Sequence, residues 1–198
     1  MKRRNFLYAS GVTAVGGSAI VGSGAFSGVE SKRTASVRVA HDSQAYLGLK
    51  RPKKSPNRSY VDYDDKGHLR IRMDPDNPTK DGGKGVNSNS FSWFNDLFKI
   101  CNQGKQDVYL FIWKKGKYAD RVVFYDDQGP CWNRKLKLGD CVKIGMSTYT
   151  HGISSDTQLL EEVYIMALGA EEYNPTSKAE EQAPSDTVPN NEYDGPTP

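Results

Sequence analysis

Six consecutive residues, 108–113 (VYLFIW), place apolar side chains on both faces of any strand they form. Side chains along a strand alternate between faces. Val108, Leu110 and Ile112 therefore share one face, and Tyr109, Phe111 and Trp113 share the other. A strand apolar on both faces must be central, or its outer face must be covered by a loop or by a neighbouring subunit. The preceding run, Phe91–Asn102 (FSWFNDLFKICN), is apolar as well, and the turn residues 103–106 read as a hairpin bend joining the two runs. A fold with this apolar centre needs more strands around it.

Those strands are visible. Residues 34–40 (TASVRVA) alternate, with Ala35, Val37 and Val39 on one face, which predicts the first strand. Residues 45–49 continue as a short extended piece. Residues 59–63 and 69–73 bracket Asp64-Asp65-Lys66-Gly67, a hairpin turn signature. Residues 121–125 form another strand. Residues 135–138 and 141–147, joined by Gly139-Asp140, read as strand–turn–strand, and 162–170 is the last strand. The 19 Gly, 10 Pro and abundant aromatics favour strands and turns over helices. Roughly nine short strands with no strong amphipathic helix predict an all-β chain. The expected architecture is a single β-sandwich, jelly-roll or immunoglobulin-like, over residues 34–170.

The two ends differ from this body. Arg3-Arg4 followed by Phe6-Leu7, then a weakly hydrophobic Gly/Ala/Ser/Val segment, read as a twin-arginine signal peptide over residues 1–25. Small residues at Ser23 and Ala25 place the cut between Ala25 and Phe26. A charged leader, 26–33, follows. Residues 171–198 carry seven acids and one base and are rich in Pro, Ser, Thr and Asn, so they are expected to be a disordered acidic tail. With net charge +3 for the chain, the part between leader and tail is basic. No dense Lys/Arg run dominates it, and its charge reads as a solvated mixed surface. The basic loop at 50–58 does not signal nucleic acid behind an export signal.

Candidate chemistry is sparse. His41, His68 and His151 stand in no His-Glu-x-x-His frame, and no Gly-x-Ser-x-Gly elbow or Cys-x-x-Cys pair occurs with the right context. No catalytic residue and no metal ligand is assigned. The loop at 74–86 offers hard donors in Asp74, Asp76, Asn77 and Asp81. Calcium is the alternative there to a plain turn-rich loop, but the spacing is not that of an EF-hand. No other cofactor is implied. Of three cysteines, Cys131 and Cys141 are the pair expected if a disulfide closes, with Cys101 a buried thiol in its apolar run.

Several segments together resemble a known family. Arg3-Arg4 with Phe6-Leu7, Gly22-Ser23-Gly24-Ala25-Phe26, Val29-Glu30, residues 33–40 and 45–49, Gly85-Val86-Asn87, residues 96–104, Phe124-Tyr125 and Leu138-Gly139-Asp140 are similar to a family of archaeal secreted proteins of unknown function, frequent in haloarchaea. That family is distantly similar to the biofilm-fibre protein TasA and to camelysin. The resemblance implies export, a jelly-roll-like sandwich and, in fibre members, polymerisation by strand exchange. The expected function is a non-enzymatic cell-surface or extracellular-matrix protein, secreted, assembling with itself into fibres or pili. The candidate donor strand is then Thr34, Ala35, Val37 and Val39, adding to a neighbour's sheet edge. The alternative is a secreted module that binds polysaccharide or an envelope polymer through Trp93, Trp113 and Trp132. A metal-dependent hydrolase is third. Nucleic acid is not an expected partner, and membrane contact is expected only through an uncleaved signal.

Overall fold

The computed structural model describes residues 33–77, 83–172 and 174–196. Residues 39–198 are one compact unit; of the separate unit 1–38 only 33–38 are described. The signal residues Arg3, Arg4, Phe6 and Leu7, and the cleavage pair Ala25 and Phe26, lie outside the described residues.

The body is an all-β sandwich of antiparallel sheets, as the alternation predicts. One sheet has the order β1 (Leu47–Lys50), β4 (Phe91–Asn102), β9 (Cys141–Tyr149), β6 (Val122–Asp126) and β7 (Gly129–Pro130). The other is built on β5 (Val108–Lys115), which pairs along its whole length with β10 (Glu162–Gly169). The opposite edge of β5 is shared. There β8 (Trp132–Leu136) pairs with residues 108–111, and β11 (Val188–Pro189) pairs with Lys114 and Trp113. A hairpin of β2 (Val61–Tyr63) and β3 (Leu69–Ile71) stands apart. It turns through Gly67 at φ +87°, and the Asp64 carboxylate accepts the N–H groups of Lys66 and His68.

The core lies between the sheets. Phe98, Ile100, Val122, Phe124, Val142, Ile144 and Met146 meet Leu110, Ile112 and Leu136 there. This corrects the expected connectivity: β4 and β5 are not hairpin partners, and the turn 103–106 crosses from one sheet to the other. The same holds for β8 and β9. The physical reason is burial. Opposed in two layers, β4 and β5 cover each other's apolar faces, which a hairpin in one sheet would leave side by side.

Two further expectations are corrected. The strand expected at 34–40 does not form, and residues 33–41 carry neither helix nor strand. Alternation marks a strand only when one face is buried, and Val37 and Val39 are 93% and 100% exposed. The expected disordered tail is ordered through most of its length. A helix, α1 (Pro175–Glu181), lays buried Ala179 against Phe111 and Trp113 on the outer face of β5. This is the cover that the doubly apolar strand requires. The chain then fills the β5 edge beyond the end of β8 as β11. Finally Arg121 ties down Asp194 at 3.0 Å. The composition of the tail misled because its few apolar and amide residues, Ala179, Ala183, Val188 and Asn190, are the ones that dock.

Candidate functional site

Asn190 and Lys114 hold the two sheets and the tail together. Asn190 is fully buried. Its backbone N–H donates to the Ile112 carbonyl of one sheet. Its side chain accepts from the Phe124 N–H at 2.8 Å and donates to the Phe124 carbonyl at 2.6 Å, in the other sheet. The amide thus imitates a strand residue beside β6. Lys114, also fully buried, projects from the inner face of β5 and donates to the carbonyls of Val122 at 2.6 Å and Glu192 at 2.9 Å.

Burial lowers the Lys114 ammonium to about 8, against the opposing pull of Asp120 and Glu192. Between that value and the ordinary 10.5 the unfolded chain binds a proton that the folded chain does not, so stability rises with pH there. From pH 7.5 to 9.5 Lys114 adds about 2 kcal/mol, and the Cys131 thiol, raised from 9.0 to about 12 by burial, takes back about 1 kcal/mol, so we expect urea unfolding to show a net rise of about 1 kcal/mol. In Lys114→Met only the Cys131 contribution remains, and stability should instead fall by about 1 kcal/mol over the same interval. Tyr125 and Tyr193 are pushed upward by burial and act in the opposite sense to Lys114 only near and above pH 10.

The three tryptophans do not form a common platform. Trp113 is 4% exposed and Trp132 partly buried, packed edge-on at 4.9 Å beneath the tail. Trp93 alone presents its ring, at 52% exposure, braced edge-on by Phe91 at 3.9 Å. The polysaccharide reading therefore loses two of its three rings.

The outer face of the five-stranded sheet carries a row of cations at one end. Cross-strand partners share a face. Lys50 stands opposite Lys99 and Lys99 opposite Lys143, so three lysines from β1, β4 and β9 form a row across the sheet. Lys50 donates to Gln103 at 2.5 Å, and Lys143 pairs with Asp96 at 2.7 Å. Asp96 belongs to a bulge in β4, where residues 95–97 stand against Gly145 alone, and takes φ +53°. The Tyr125 ring covers Gly145, where a Cβ would come within 2.6 Å of it, and the Tyr125 hydroxyl donates to Asn95 at 2.5 Å. Asn57 binds the Asn95 carbonyl at 2.7 Å and so anchors the basic loop to the same bulge. No linear motif reveals this row, because its members lie 44 to 93 residues apart or nearer only through strand register.

The disulfide joins Cys101 to Cys141, not Cys131 to Cys141. Cys101 and Cys141 are direct partners on β4 and β9. Cys131 points into the core, where burial pushes its thiol up to about 12.

The histidines are structural at the positions where contacts are seen. His41 caps a short turn by accepting from the Ser43 N–H, packs against Tyr63, and lies over Gly67. Asp42 accepts the Leu69 N–H at 2.7 Å, which ties the turn to β3. Asp74 and Asn77 are engaged in turn bonds, to Asp76 N–H and the Arg72 carbonyl, and Asp81 lies outside the described residues. Among the described residues no three His, Cys, Asp or Glu side chains cluster to hold a metal ion. No described helix is long and apolar enough to cross a membrane. No family model matches the chain, and no curated protein matches it.

Proposed function

We propose that the protein is an exported, non-enzymatic cell-surface or matrix protein that assembles with its own copies by strand addition. The observation that carries the reading is the segment at 33–40. Its β-branched residues Val37 and Val39 recur with strand spacing and stand almost wholly exposed. Two exposed β-branched residues at strand spacing are what an added strand offers to a partner's open edge. The sandwich offers a counterpart. No strand pairs with the outer edge of β10 among the described residues. The Ala170 N–H donates to Asp107, which fixes the pairing phase, so Val163, Ile165 and Ala167 turn their backbone groups to that open edge. An added strand there satisfies both partners' backbone groups. Export is supported by the twin-arginine pattern and by the disulfide, which persists in oxidising compartments.

The test compares mature chain beginning at Phe26 with chain lacking residues 26–40, by electron microscopy and size-exclusion chromatography. Polymers or oligomers are expected only from the longer form, and Val37→Asp with Val39→Asp should remove them. Monodisperse monomers from both forms would sink the assembly reading.

A further inference from the structure

We propose that the outer face of the five-stranded sheet binds an acidic polysaccharide, gripped by the row Lys50–Lys99–Lys143 and stacked on Trp93. This is independent of strand addition, which uses the other sheet's edge.

Like charges directly opposite one another across strands destabilise a sheet. Here two such contacts follow in sequence, Lys50 against Lys99 and Lys99 against Lys143. Among the described residues only Asp96, at the far end, pairs its carboxylate with the row. The adjoining loop extends the positive charge. Residues 50–60 contain five cations and no acid, and Asn57 pins that loop to the β4 bulge. A polyanion relieves this repulsion, and a neutral ligand does not.

The ring selects among polyanions. Trp93 pairs with Ser147, and Lys143 lies four residues earlier on β9, on the same face. Strand rise puts the ring about 13 Å along the sheet from the lysine row. The spacing suits an extended polymer that meets both, and a flat exposed indole stacks on the apolar face of a sugar ring. The disulfide lies on the same two strands, Cys101 opposite Cys141, and marks an oxidising compartment, where envelope and matrix polysaccharides are met.

The experiment is affinity electrophoresis of the full chain in gels containing alginate, a uronic-acid polymer, or dextran, a neutral one. A single-stranded oligonucleotide and inorganic polyphosphate are run in parallel. Retardation by alginate and not by dextran is expected, weakening as salt is raised. Replacing Lys50, Lys99 and Lys143 together by Gln should weaken alginate binding about tenfold while leaving the thermal midpoint unchanged or higher. Trp93→Ala should weaken alginate binding about fivefold and leave polyphosphate binding as it was. Equal retardation of the triple variant, or equal binding of dextran, overturns the proposal. Tighter binding of the oligonucleotide than of alginate also overturns it, making the face a nucleic-acid surface.

Discussion

Asn190→Leu is expected to destabilise the chain by about 3–5 kcal/mol, measured by urea unfolding of the full-length protein. The replacement is similar in volume, so the loss is polar. The Phe124 N–H then has no acceptor, and the Cys131 carbonyl loses the Asn190 amide donor. The Phe124 carbonyl keeps the Cys131 N–H at 2.8 Å and is spared. Each orphaned buried group costs about 1–3 kcal/mol, in a domain whose whole stability is about 5–15 kcal/mol. A second signal separates this from a local defect. If Asn190 is what clamps the tail, its loss frees α1 from the outer face of β5, and the emission of Trp113 and Trp132 shifts to the red. Asp194→Asn is the control. The Asp194 carboxylate is largely exposed and Arg121 keeps Asp120 within 3.9 Å, so the cost should stay below about 1 kcal/mol. An Asn190 variant as stable as the parent would mean that the tail is not held in this way.

The tail also shows what was legible in the sequence and what was not. Residues 108–113 announced a doubly apolar strand and required a cover. They did not say that the cover lies some 65 residues further along, inside a segment whose composition looks disordered. Composition averages over a segment, whereas docking needs only a few residues. Ala179 meets the Phe111 and Trp113 face, and Asn190 meets the one edge left unpaired by β8. The fold class was legible because alternation reports one-sided burial directly. Pairing was not. The turns at 103–106 and 139–140 look like hairpin bends, and each crosses between sheets. Turn chemistry is the same in both cases, and only the need to oppose two apolar faces decides. The lysine row was invisible for a related reason, since it exists only in the register of β1, β4 and β9. At 34–40 the same alternation marks no strand within the chain, because no neighbouring face buries Val37 and Val39.

Reduction of the Cys101–Cys141 bond, or replacement of both cysteines by alanine, is expected to cost about 4 kcal/mol of stability. The bond closes a loop with sequence separation 40, and closing a loop of this length removes chain entropy from the unfolded state. It does so at the junction of β4 and β9, the most extensively paired strands of the sheet and the two that carry Lys99 and Lys143. Non-reducing peptide mapping should recover the Cys101 and Cys141 peptides linked and the Cys131 peptide free. Cys131 and Cys141 are near in sequence, yet one thiol faces the core and the other lies on an exposed position of β9. Cys131 is also inert as an exchange partner. With its thiol pushed up to about 12, almost no thiolate exists at pH 8 to attack the bond. Alkylation of native protein should therefore leave all three cysteines unmodified, and Cys131 should react only once urea unfolds the chain. Unchanged stability on reduction would overturn the entropy argument, and a linked Cys131–Cys141 peptide would contradict the register of the sheet itself, since Cys101 and Cys141 can bond only where β4 and β9 pair as they do.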